Sequence, residues 1–296
     1  NSGAEAIEAA MKFARKFTGK KGMVAMKGSY HGKSFGALSL TFNPKYRKAF
    51  APLVEKVSFA SFGDMDSLRS VIDEDTALII LEPIQGESGI IVAPDGFLQE
   101  VRKLCNEKGI LLIFDEIQAG LGRTGRLWAG EHWNTVPDIL CLAKGIAGGV
   151  PMGATLVRPD ILAAISKGEH SSTFGGNPIS CAAGIAALTS ITEDGLIENS
   201  KKMGEVFKEG LEKLKEKHTM IREIRGKGLM IGIEMKFEVK DILMGLIEEG
   251  VLMLYSGRNI LRILPPLVIK EEDVTKVLHA LDVVIGKEEE KRNVQR

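Results

Sequence analysis

Cysteine is scarce, and the three present, Cys105, Cys141 and Cys181, are widely separated in apolar surroundings. They form neither a disulfide framework nor a zinc-ligand pattern, so no metal is expected and a reducing cytoplasm fits. No run of roughly 18 or more apolar residues occurs and no charged-then-apolar leader, so the sequence predicts neither a membrane span nor a secretion signal. Charge of one sign is not in excess either: 39 Lys and Arg stand against 39 Asp and Glu. No whole-molecule field therefore steers the chain onto nucleic acid or an anionic membrane, and a small or locally recognised partner is expected. Low-complexity stretches are missing, and 44% hydrophobic with 26% charged residues is the composition of a folded chain. An initiating methionine is also lacking, and the first residues already read as a helix entrance, which suggests an upstream segment.

Glycine, by contrast, is plentiful at 33 of 296 residues, which implies tight turns and places where backbone approaches a ligand. At roughly 150 residues per domain the length suggests about two domains. Ile7, Ala10, Met11, Ala14 and Phe17 recur at helical spacing, and Ser2 followed by Glu5 has the form of a capping box, so a helix starts near Ser2. Beyond it, short apolar runs at 23–26, 57–60, 77–81, 110–114, 139–142 and 154–157 alternate with helical or glycine-rich stretches. Runs of this kind predict strands covered on both faces, hence an α/β class with a mostly parallel sheet and a ligand at the strands' C-terminal ends. From about Ile179 the pattern changes to long helices at 181–191 and 200–217, strands at 229–235, 251–254 and 260–264, and helices at 239–249 and 271–285. Residues 1–195 are thus expected as a large domain, 196–286 as a smaller α+β domain, and 287–296 as a frayed charged tail.

Two segments invite a nucleotide-binding reading, because Leu111-Leu112-Ile113-Phe114-Asp115-Glu116 looks like an apolar strand ending in magnesium-holding acids. The partner motif fails: three residues separate Gly28 from Gly32 where a phosphate-cradling loop needs four. Lys144 is more informative. It closes an apolar strand and faces a glycine-rich turn, where desolvation lowers an amine's pKa and favours imine chemistry. Taken alone, it reads more readily as a strand-end lysine whose stem packs while its amine reaches water. Asp115 shifts that balance, since a buried carboxylate on another strand suits a pyridinium nitrogen. The helix entrance at Ser2, Gly3 and Ala4 offers free amides to a phosphate.

These pieces stand in an order that resembles the class III aminotransferases, which use pyridoxal 5′-phosphate on a type I fold. The matching stretches are Asn1-Ser2-Gly3-Ala4-Glu5-Ala6, Ser29-Tyr30-His31-Gly32-Lys33-Ser34, Glu82-Pro83-Ile84-Gln85-Gly86-Glu87, the run from Phe114 to Gly125, Ala143-Lys144-Gly145, and Ser172-Thr173-Phe174-Gly175-Gly176-Asn177-Pro178. Within the class the chain is most similar to the acetylornithine branch. Lys45-Tyr46-Arg47, the Arg225 to Gly232 stretch and Leu264-Pro265-Pro266 resemble the archaeal type acting on carrier-protein-bound semialdehydes in lysine and arginine synthesis.

The resemblance implies that Lys144 bonds the cofactor and moves a proton, that Asp115 pairs with the ring nitrogen, that Gln118 reaches the ring hydroxyl and that Tyr30 stacks on the ring. Ser2, Gly3 and Ala4 would bind the phosphate, with Thr173 supplied by the neighbouring subunit of a homodimer. Glu87 and Arg262 match a gate in which the arginine takes the carboxylate of 2-oxoglutarate, and Ser172 and Lys33 would also face substrate. Arginine is usual at position 33, so lysine keeps the charge and loses the planar fork. His31 and Glu82 are expected to be structural. The implied reaction moves an ω-amino group from acetylornithine or from lysine or ornithine on an acidic carrier protein to 2-oxoglutarate. 4-Aminobutyrate and ornithine aminotransferases share the motifs, and a fragment that binds cofactor or dimerises without turnover is the other alternative.

Overall fold

The computed structural model describes residues 1–292. Its centre is a sheet built from the apolar runs: β1 (Gly22–Met26), β2 (Val57–Ala60), β3 (Thr76–Leu81) and, after a short antiparallel hairpin of β4 (Ile84–Gln85) and β5 (Ile91–Val92), β6 (Leu111–Asp115), β7 (Ile139–Leu142) and β8 (Ala154–Val157). The spatial order is β2-β1-β3-β6-β7-β8, parallel throughout except where β8 pairs with β7. Alternate residues point to opposite faces. Met23, Leu78, Ile80 and Ile113 join one core with the first helix, Gly3–Thr18, whereas Val24, Ile79, Leu112 and Phe114 join the other with the helix Phe97–Lys108. Cover on both faces is why the inner strands β1, β3, β6 and β7 carry no polar alternation, each fully buried side chain contributing about 1.5–3 kcal/mol by leaving water. The edge strands β2 and β8, expected to be covered likewise, are only partly buried, with Leu156 45% exposed.

The first helix starts where expected, but the capping box is only half formed, because the Glu5 carboxylate takes the Ser2 hydroxyl at 3.3 Å and the Asn1 amine at 2.8 Å and not the Ser2 amide. The Ser2 hydroxyl accepts the Glu5 amide at 3.3 Å, and Gly19, at φ 70°, closes the other end with its amide on the Arg15 carbonyl. Its buried stripe of Ala6, Ile7, Ala10, Met11 and Ala14 fixes it on the sheet with its N-terminus beside the strands' C-terminal ends.

The C-terminal part has its own core around Phe207, Leu211, Ile233, Leu261 and Leu281. Helices Leu196–Lys217, Lys240–Glu248 and Glu271–Lys291 pack there on an antiparallel sheet of β9 (Ile221–Lys227), β10 (Met230–Met235), β11 (Leu254–Ser256) and β12 (Ile260–Ile263), ordered β11-β12-β10-β9. Three expectations change. Strand β9 was not foreseen, because it is an edge strand with exposed Arg222 and Glu223 and lacks an apolar run. The strand expected at 251–254 starts only at Leu254, since Gly250 at φ 77° and the Val251 amide on the Leu246 carbonyl still belong to the preceding helix end.

The third change concerns the tail, which is helical to Lys291 instead of frayed; residues 293–296 lie outside the described residues. Polar contacts replace the missing apolar stripe. Glu289 is buried, accepts the Met220 amide at 3.1 Å and faces His218 Nδ1 at 2.8 Å, while His218 Nε2 meets Asp282 at 2.6 Å. The ring is thus bracketed by two acids of the last helix. His218→Leu therefore strands Glu289 and should cost about 3 kcal/mol, as breaking a buried ion pair does. Thermal unfolding should shift down by several degrees; an unchanged midpoint would show that the histidine does not pin this helix.

Candidate active site

Because β1, β3, β6 and β7 run parallel, the segments that leave them emerge on one edge of the sheet. They wall a cavity of about 440 Å³ together with residues 1–4 of the helix entrance and residues 149–152. Tyr30, His31 and Lys33 follow β1, Glu82 and Glu87 follow β3, Asp115 and Gln118 lie at the end of β6, and Lys144 follows β7; all line the cavity.

Asp115 is the last residue of β6 and is buried. Its Oδ2 lies 2.7 Å from His31 Nδ1 and its Oδ1 accepts the Ile117 amide at 3.1 Å. The contact with a carboxylate makes Nδ1 the donor. Nε2 of His31 is buried without a partner. His31, expected to be purely structural, thus bonds directly to the central acid. The signal available in the sequence was its place beside Tyr30, but 84 residues separate it from Asp115. Glu82, the other residue so expected, accepts the amides of Tyr30 at 3.1 Å and Gly86 at 3.0 Å, linking the two loops that carry Tyr30 and Glu87. Burial pushes its carboxyl up.

Lys144 opens a short 3-10 turn, Lys144–Ala147, at φ 50°. A lysine in the left-handed region stores about 1–3 kcal/mol of strain, which such positions hold only where the surroundings enforce it. Lys144 is exposed to the open cavity, yet protein atoms displace part of the water around its amine, and this desolvation lowers its pKa; the carboxylates of Asp115, Glu82 and Glu87 oppose the shift without cancelling it. Tyr30 meets Tyr46 edge to face at 5.9 Å, and the Lys33 amine stands 4.7 Å from the Tyr46 ring centre. Gln118 Oε1 is buried without a partner, and a side chain at Gly86 would occupy its place.

Arg262, on β12, gives Nη1 to Glu87 Oε1 at 2.8 Å and to the Gly86 carbonyl at 3.2 Å, while its Nε is buried and unpaired. Arg262 is 7% exposed and the Glu87 side chain 40%, so the acid is the freer partner. Ser172 and Thr173 are exposed and do not line the cavity of their own chain; Ser172 accepts from the Asn1 side chain at 3.1 Å. Among the described residues no group of His, Cys, Asp or Glu is placed to hold a metal ion, and no helix is long and apolar enough to cross a membrane.

A covalently held, anionic, aromatic cofactor fits this donor set. The amine of lowered pKa, the acid braced by histidine, the unpartnered Gln118 oxygen and a helix N-terminus all face one cavity. Residues 1–285 match the family model described as aminotransferase class III. The chain is a class III aminotransferase. It is accordingly a pyridoxal-phosphate-dependent transaminase, and the α/β type I fold follows with it. An acetylornithine aminotransferase of Caldanaerobacter subterraneus is 45% identical over 97% of this chain and 74% of the relative. A [LysW]-aminoadipate semialdehyde/glutamate semialdehyde transaminase of Sulfurisphaera tokodaii is 43% identical over 99% of this chain and 76% of its own length. Among solved structures, an ornithine aminotransferase of Toxoplasma gondii with partial occupancy of PLP at its active site superposes with a TM-score of 0.95 at 34% identity, covering 99% of this chain and 73% of that one.

Proposed function

We propose that this class III aminotransferase moves an ω-amino group from acetylornithine, or from lysine or ornithine on an acidic carrier protein, to 2-oxoglutarate in arginine or lysine synthesis. The observation that carries the reading is the meeting in one cavity of Lys144, the His31–Asp115 pair and the entrance of the first helix, with Arg262 held by Glu87 at its side. Relatives acting on acetylated and carrier-linked substrates support the donor class. Residues 1–195 would serve as the cofactor-binding domain and 196–286 as the small domain.

Pyridoxal phosphate, when bound, supplies the electron sink that makes the carbon bearing the amine acidic. Lys144 would hold it covalently, Asp115 would keep the ring nitrogen protonated, and His31 would fix Asp115 in orientation. Tyr30 would cover a ring face, Gln118 would meet the ring hydroxyl, and the amides of Ser2, Gly3 and Ala4 would bind the phosphate. Lys144 Nζ, once released, would take the proton from the substrate carbon and return it to the cofactor side. Glu87 would occupy Arg262 until a dicarboxylate displaces it, and the released guanidinium is a fork suited to carboxylate.

Lys33, over the Tyr46 ring, would read the donor's α-carboxylate as a point charge. The test loads the protein with pyridoxal phosphate and follows bleaching to the amine form with acetylornithine, carrier-bound lysine, ornithine and 4-aminobutyrate. Lys33→Arg should improve donors that carry a free α-carboxylate and leave 4-aminobutyrate nearly unchanged, because only the arginine offers two parallel donors. Equal effects on both would remove Lys33 from substrate recognition, and no bleaching with any donor would overturn the reading.

A homodimer that completes the site with Ser172 and the phosphate contact of Thr173, in a reducing cytoplasm, belongs to the same proposal. The helix Pro178–Glu193 supports it, for Ile179 and Ile185 are 75% and 68% exposed beside Phe174 at 72%. Large apolar side chains left this exposed suit burial against a second copy. Sedimentation should show a dimer at micromolar concentration, and a monomer there would contradict it.

A further inference from the structure

The segment 86–90 carries the gate residue Glu87, and three of its backbone carbonyls are gripped from three strands of the small sheet. Arg262 of β12 donates to the Gly86 carbonyl at 3.2 Å. The Ser256 hydroxyl of β11 donates to the Glu87 carbonyl, and Arg225 of β9 donates through Nε to the Gly89 carbonyl at 2.9 Å. Ser256 is 5% exposed. Arg225 is aligned by ion pairs from Nη1 to Glu234 at 2.8 Å and Glu223 at 2.9 Å.

The same segment is seated from both sides. The Ser88 hydroxyl donates to the Gly28 carbonyl on the cavity-bearing side, while a Cβ at Gly232 would approach the Gly89 carbonyl at 3.0 Å. Gly89 and Ile90 lie at φ 105° and 58°. Left-handed backbone at an isoleucine persists only where neighbours enforce it, and here the enforcing groups are the three donors. What remains free is the Glu87 side chain, which is the more exposed member of its pair with Arg262.

We propose that Ser256 and Arg225 are positioning residues for the gate: they fix the backbone of 86–90 so that exchange between Glu87 and a substrate carboxylate on Arg262 is a side-chain swing and not a loop movement. This rests on the proposed function, in which Arg262 receives the dicarboxylate. A fixed backbone keeps the guanidinium aimed at one place whether Glu87 is on it or off it, so little reorganisation accompanies dicarboxylate binding. An amino donor that does not touch Arg262 gains nothing from the clamp.

The test uses Ser256→Ala and Arg225→Lys; the lysine keeps a cation for Glu223 and Glu234 but lacks the second donor that reaches Gly89. In the protein without added cofactor, amide exchange of 86–90 should accelerate while that of β3 stays as in wild type. In single turnovers of the loaded enzyme, kcat/KM for 2-oxoglutarate should fall about fivefold in each variant, the effect of one buried hydrogen bond, with the donor half-reaction within about twofold of wild type. Ser256→Thr, which keeps the hydroxyl, should restore both readouts. Equal losses in the two half-reactions, or unchanged exchange of 86–90, would overturn the clamp while leaving the transaminase reading intact. A wild-type enzyme that transfers no amino group from any donor would overturn that reading and the clamp with it.

Discussion

Lys144→Ala should leave less than about a thousandth of wild-type steady turnover, since in the proposed mechanism one change removes both the covalent anchor and the proton carrier, each worth orders of magnitude. Cofactor retention should persist in part, because Asp115, Tyr30, Gln118 and the helix entrance do not depend on the amine. Borohydride reduction of the wild-type enzyme should fix the cofactor on the peptide containing Lys144; linkage to any other lysine would refute the assignment. The wild-type pH profile adds a check. In the proposed role the neutral amine is the working form, and its pKa lies below that of an ordinary lysine because desolvation by the surrounding protein outweighs the nearby carboxylates. The rise in rate with pH should therefore fall below the range of a free lysine, and moving Glu87 to glutamine should lower it further by removing one of the opposing charges. The backbone supplies an independent control: at φ 50° a glycine is relaxed where alanine is not, so Lys144→Gly should be about 1 kcal/mol more stable than Lys144→Ala while equally inactive. A functional residue held against its own conformational preference gives this signature.

Legibility differs sharply between the two halves of the molecule, and burial explains why. For the inner strands of the central sheet both faces are covered, so 77–81 and 110–114 stand out as unbroken apolar runs; the observed Thr76–Leu81 starts one residue earlier, and Leu111–Asp115 is displaced by one residue at both ends. The Ser2–Glu5 spacing likewise located the first helix, because a hydroxyl cap acts within three residues. Strand β9 escaped because an edge strand half in water has no such run. The end of the last helix escaped because charge pairs, His218–Glu289 and Lys291–Asp241, hold it where apolar periodicity has stopped. At the site, motif order pointed to Lys144 and Asp115, whereas the role of His31 depends on a 2.7 Å contact across the sheet. Neither the left-handed backbone of Lys144 nor the three-carbonyl grip on the gate leaves a mark in residue type, for both are products of tertiary packing. Ser172 and Thr173 do not line their own chain's cavity, and only the motif from Ser172 to Pro178, not local periodicity, singled them out.

Arg262→Ala should divide the two half-reactions more than any other single change. Arg262 is buried, and its Nη1 already serves Glu87 and the Gly86 carbonyl while Nε has no partner. Removing the guanidinium withdraws the cation that Glu87 now holds and that a displacing carboxylate would take over. Truncating one member of a buried, hydrogen-bonded charge pair costs about 2–5 kcal/mol, which is roughly 30-fold to several-thousand-fold in kcat/KM for 2-oxoglutarate. The amino-donor half-reaction should lose less than about tenfold, since the proposed contact of the donor is Lys33 rather than Arg262 and the loss would be confined to an interaction made with one substrate. Glu87 is the internal control. It is 40% exposed on its side chain, so water takes over when its partner goes, and the variant should not suffer the folding penalty of a stranded buried acid. Thermal unfolding near the wild-type midpoint, with 2-oxoglutarate turnover collapsed, would establish the arginine as a substrate clamp. A fall in both half-reactions together with a lowered midpoint would instead make Arg262–Glu87 a structural tie between the two sheets.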